Sequence, residues 1–105
     1  MILSLLVLPD ISKALPRFVK NDFCDMDKFI NNADQCKRAV IQISTLEIEG
    51  NEYELTFKDA ENVPNYPRGC YVMTGTQEKG HVFFNSNKDG KKIKEAHSIC
   101  KNYGK

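Results

Sequence analysis

Gly69-Cys70-Tyr71-Val72-Met73-Thr74-Gly75-Thr76-Gln77-Glu78-Lys79-Gly80-His81-Val82-Phe83-Phe84-Asn85 holds two short apolar runs, residues 70–73 and 81–84, on either side of a polar loop with glycines at 75 and 80. That pattern predicts two strands joined as an antiparallel hairpin. Working outward, Tyr53, Leu55 and Phe57 alternate with Glu52, Glu54, Thr56 and Lys58, the period of a half-buried strand. Residues 59–68 carry Pro64 and Pro67 and make an irregular connection, while residues 97–101 add a last short strand ending near Cys100. Upstream, Asn32 can cap a helix with Gln35 at its third position, and Cys36, Ala39, Val40 and Ile43 then share one face, which Leu46 extends if the helix runs further. Asp34, Lys37, Arg38 and Gln42 take the other face, so the helix over 33–43 or slightly beyond points Cys36 inward. The fold class is α+β, one main helix packed on a small, mostly antiparallel sheet. Tyr53, Phe57, Tyr66, Tyr71, Phe83 and Phe84 supply its core against the helix face.

A chain of 105 residues has room for one such core and no second domain. At 41% hydrophobic and 28% charged residues its composition is that of a globular protein, which argues against a disordered or membrane-spanning chain. The net charge of +1 conceals a division. Residues 1–78 hold 8 Lys/Arg against 12 Asp/Glu, and residues 79–105 hold 7 against 2. The basic end, with Lys88, Lys91, Lys92, Lys94, Lys101 and Lys105, is either a solubilising surface or a patch that steers an acidic partner. Nucleic acid is not the expected partner, because this stretch has no arginine and only Tyr103 follows its lysines to stack on a base.

Four cysteines, Cys24, Cys36, Cys70 and Cys100, are separated by 11, 33 and 29 residues. No C-x-x-C pair occurs, and the lone His97-x-x-Cys100 is a poor start for a tetrahedral zinc site. Two disulfides are favoured over four buried thiols or a metal, and an oxidising compartment follows from them. Met1 to Leu8, MILSLLVL, is too short to span a bilayer as a helix. Two readings of it stand open. It is the apolar core of a signal peptide cleaved after Ala14, or it is retained and docks on the domain or on a neighbouring chain. The chain accordingly divides into an apolar N-terminal segment, 1–22, and a four-cysteine module, 23–105.

Tyr66-Pro67-Arg68-Gly69-Cys70-Tyr71-Val72, His81-Val82-Phe83-Phe84-Asn85, Gly90 and Ile99-Cys100-Lys101, preceded by Phe23-Cys24 and Asp34-Gln35-Cys36-Lys37-Arg38-Ala39, resemble an uncharacterised small four-cysteine module of protist, algal and environmental proteins. That module has a YPKGCY-like turn, a VYFN-like strand and a terminal ICK, and the likeness covers residues 23–101. Phe83 and Phe84 stand where its pattern usually has Tyr-Phe. The resemblance implies the α+β fold and the disulfides and brings no activity with it. Cys36 on the inner helix face is expected to meet Cys70 at the start of the hairpin, leaving Cys24 and Cys100 to join the ends of the module. Loops of these lengths make each bridge worth about 4 kcal/mol on the chain-entropy model.

Candidate chemistry is sparse. Asn85-Ser86-Asn87-Lys88-Asp89-Gly90 resembles the first half of a calcium loop, but Ala96 stands where a bidentate Glu is required and three lysines follow, so a turn is the expected structure. His81 and His97 are the only histidines and invite a phosphoryl-transfer reading, although nothing in their spacing makes them converge. No motif implies a cofactor, a metal or a catalytic residue. Phe83 and Phe84 are neighbours in a strand, so one of them leaves the helix-covered side, to be capped by the N-terminal segment or exposed to a partner. Phe83 or Phe84 as anchor, with Lys88, Lys91 and Lys92 as a charged rim, makes the candidate partner-binding surface. The function expected is a non-catalytic structural or protein-binding module, secreted or on the surface of a larger assembly. The alternative is a small secreted hydrolase, a nuclease working through His81 and His97.

Overall fold

The structure, a computed structural model, describes residues 17–19 and 23–101. The single α-helix among them, α1, spans Ala33–Ile43. Its start is set by Asn32, whose extended backbone (φ −151°, ψ 167°) lets its side-chain oxygen accept the Gln35 N–H at 2.9 Å. Gln35 Oε1 reaches back to accept the Asn31 N–H at 3.2 Å, a capping box displaced by one residue. The helix stops where Ser44 takes a positive φ of 52° and donates its N–H to the Val40 carbonyl at 2.8 Å. Cys36, Ala39 and Val40 are buried, and Leu46 falls beyond the helix, in a strand.

That strand, β2 (Thr45–Ile48), forms a hairpin with β3 (Asn51–Glu54) through Glu49 and Gly50, whose φ values are 52° and 85°. Two consecutive positive φ values suit a tight turn between twisted strands. The alternating stretch at 51–58 is therefore not one strand but two. The chain pivots at buried Leu55, whose N–H donates to the Ser44 carbonyl at 2.9 Å, and continues as β4 (Thr56–Glu61) in a different sheet. Tyr53, Leu55 and Phe57 nevertheless pack into one core, so the period of two records the shared apolar side and not the pairing partner.

The main sheet adds β1 (Arg17–Val19), β5 (Gly69–Met73), β6 (His81–Asn85) and β7 (Ala96–Cys100), in the order β1-β7-β5-β6-β4. All neighbours are antiparallel except β4 and β6, which run parallel with a register irregularity between Phe57 and Asp59. β5 and β6 form the expected hairpin, pairing Tyr71 with Phe83 and Val72 with Val82. β1 lies within the segment read from the sequence as preceding the module, so the sheet begins upstream of residue 23. The MILSLLVL run and the Ala14 cleavage site lie outside the described residues.

Helix and hairpin cover one side of the sheet. Cys36, Ala39 and Val40 of α1, Ile48 and Tyr53 of the hairpin, and Cys70, Val72, Val82, Phe84 and Ile99 of the sheet form the main core. The Cys36–Cys70 disulfide crosses it, while Cys24–Cys100 ties the start of the module to its last strand beside Phe29. This is the connectivity expected from the inward face of the helix.

Candidate functional site

Strand alternation gives the sheet two faces of different character. Cys70, Val72, Val82, Phe84 and Ile99 point toward α1, and Tyr71, Met73, Phe83, Ala96 and Ser98 point away from it. Phe84 is 8% exposed and belongs to the main core, so of the two rings only Phe83 stands as a candidate anchor. Phe83 is half-buried on the outer face. Its ring stacks on Tyr71 with centroids 5.6 Å apart, and Tyr71 stacks on Tyr66 at 6.0 Å with an interplanar angle of 4°. Met73, Ala96 and Ile93 complete this second cluster.

The outer face has an acidic edge. The Tyr71 hydroxyl donates to a Glu61 carboxylate oxygen. Burial first, and then the neighbouring Glu61 carboxylate, hold the Tyr71 phenol proton far more tightly than in water. Glu61, Tyr66, Tyr71, Met73, Glu78 and Phe83 line a concavity of about 140 Å³ here. Its walls are stacked aromatic rings, and its polar groups are two carboxylates and two phenols. Such a surface can bury an apolar side chain and accept hydrogen bonds at its edge.

The basic loop adjoins this face. Lys88, Lys91 and Lys92 are exposed in the connection between β6 and β7. The Lys91 N–H donates to the Tyr66 carbonyl at 3.0 Å, and Ile93 of the same loop packs on the outer cluster. The backbone of the loop at Lys91 to Ile93 therefore runs beside the outer cluster that holds Phe83. Lys88 lies apart from the aromatic concavity and lines a different cleft, with Arg68.

Other sequence candidates separate. Val72 faces both Val82 and His97 across the strands, so His97 lies on the helix side, 3% exposed, while His81, next to Val82, faces the other way. Among the described residues no group of three or more His, Cys, Asp or Glu side chains could hold a metal ion. Asn85, the first residue of the calcium-like loop, is fully buried and structural. Its Nδ2 donates to the carbonyls of Val63 (2.8 Å) and Tyr66 (2.9 Å), and its Oδ1 accepts from the N–H groups of Val63 (3.0 Å) and Asn87 (3.2 Å). Asn87 then repeats the turn, its Oδ1 accepting from the Asp89 N–H at 2.8 Å. The turn expected at 85–90 is present, but sequence reasoning missed the buried structural role of Asn85, and it placed Tyr66, Tyr71 and Phe83 in the core against the helix, whereas their rings stack in a separate cluster on the face away from α1. The Asn-x-Asn-x-Asp spacing is the signature of successive Asx turns and marks the first, but nothing in one sequence marks the second. No family model, curated protein or solved structure matches this chain.

Proposed function

We propose that the chain is a non-catalytic protein-binding module of the four-cysteine kind, working in an oxidising compartment or on the surface of a larger assembly. The observation that carries this reading is the outer face of the main sheet, where Tyr66 and Phe83 remain half-exposed around a buried Tyr71 opposite the face that the helix covers. Aromatic groups on a rigid strand are efficient anchors because they bury large area at small entropic cost. The two disulfides tie β5 to α1 and β7 to the start of the module and suit an extracellular setting, and no helix among the described residues is long and apolar enough to cross a membrane. The nuclease alternative draws no support from histidines on opposite faces of the sheet.

The test places a photoreactive phenylalanine at position 83 and, as reference, at the exposed helix position 41. A single protein cross-linked from position 83 in native material and absent from position 41 is the expected result. Equal yields at both positions, or phosphodiester hydrolysis by the wild type that disappears in His81→Ala, would overturn the proposal.

A further inference from the structure

A second opening, distinct from the aromatic face, lies where the segment before α1 meets the end of β6. It has a volume of about 140 Å³, and Phe29, Asn31, Arg68, Phe84, Ser86 and Lys88 are among the residues around it. Two of its lining residues are cations and none is Asp or Glu. The Arg68 guanidinium sits over the Phe29 ring, 4.4 Å from its centroid, which fixes a planar donor at the edge of the opening. With the Asn31 amide turned so that its nitrogen donates to the Phe29 carbonyl at 3.2 Å, its oxygen accepts from Lys101 Nζ at 3.2 Å, bringing a third cation to the rim.

We propose that this cleft binds a doubly charged oxyanion, phosphate or sulfate, free or as the terminal group of a larger ligand. Arg68 and Lys88 both line one small opening with no carboxylate in its lining, so an anion there is attracted by both and repelled by no lining side chain. The apolar walls contributed by Phe29, Ile30 and Phe84 lower the local dielectric and strengthen that attraction. The stacked guanidinium loses little freedom when it engages two oxygens, and the flexible Lys88 ammonium closes from the loop side as a point charge.

An amide NMR titration of the full chain with sodium phosphate, sodium sulfate and sodium acetate at constant ionic strength, with sodium chloride as reference, tests the assignment. Saturable shifts at Asn31, Gly69 and Ser86, and none at Glu49 to Glu52, are expected with the two dianions. Binding is expected to weaken about tenfold in Lys88→Met and in Arg68→Met, the size of one charge-assisted contact, and to persist in Lys88→Arg and Lys91→Met. Should Arg68→Met lose the fold with its ring contact, Lys88→Met decides the matter, because Lys88 is an exposed loop residue. Shifts that are linear and equal in chloride, or that survive Lys88→Met unchanged, overturn the site. Acetate that saturates as tightly as sulfate overturns the preference for a dianion.

Discussion

Asn85 has no exposed surface, and its amide holds together the end of β6, the connection at Val63 and Tyr66, and the turn at Asn87. Asn85→Ala would leave two N–H groups and two carbonyls of this connection without those partners, and is expected to cost about 3 kcal/mol or more in a urea unfolding experiment. Tyr71 acts through a proton. In the unfolded chain its phenol has the ordinary value of 10, and in the fold burial and Glu61 raise it. The fold thus holds a proton that the unfolded chain releases, so this stabilisation is complete below pH 10 and declines as the pH rises above it. Tyr71→Phe is expected to be less stable than wild type by about 1 kcal/mol at neutral pH and to have the flatter stability profile above pH 10. Urea midpoints across that range check it, and parallel profiles would contradict the assignment.

The β2–β3 hairpin carries an electrostatically unfavourable cross-strand pair. Glu47 stands directly opposite Glu52, and both are exposed. Like charges at facing positions oppose pairing, whereas Leu46 opposite Tyr53 and the Glu49-Gly50 turn favour it. Glu52→Lys replaces repulsion with attraction and is expected to stabilise the protein by about 0.5 kcal/mol at low salt, with the gain shrinking as salt is added. Thermal melts of wild type and variant at two salt concentrations measure it. A destabilised variant would mean that the carboxylate of Glu52 has a role beyond the hairpin.

For the molecule as a whole, the two disulfides differ in what surrounds them. Cys24–Cys100 spans 76 positions and Cys36–Cys70 spans 34, so the loop-closure argument gives about 4 kcal/mol for each. Cys36 and Cys70 also lie in the main core between helix and sheet, whereas Cys24 and Cys100 belong to a small cluster with Phe29. Replacing the Cys36/Cys70 pair by alanine is therefore expected to lower the unfolding free energy more than replacing the Cys24/Cys100 pair, because it adds a packing defect to the lost cross-link. Denaturant unfolding of both double variants gives the order, and the reverse order would mean that the outer bridge secures more than the module's ends.

Helix α1, the β5–β6 hairpin and the inward direction of Cys36 were legible in the chain because each depends on residues close in sequence: a cap at Asn32, an apolar face repeating every three to four positions, and apolar runs around Gly75 and Gly80. The inward cysteine and the hairpin start also identified the Cys36–Cys70 pair. Long-range contacts decided the rest. Periodicity specifies which side of a strand is apolar but not its neighbour, so the break at Leu55, the parallel pairing of β4 with β6 and the docking of β1 on β7 were settled by which backbone edges were left to satisfy. The same holds for the sites. Adjacent Phe83 and Phe84 had to face opposite ways, yet only the position of α1 made Phe84 the core residue, and only the folding of loop 86–95 against Tyr66 brought Ile93 onto the outer cluster and left Lys88 at a separate cleft. Arg68 and Lys88, 20 positions apart, share a cleft because β5 and β6 pair between them, a proximity that depends on strand register and not on local spacing.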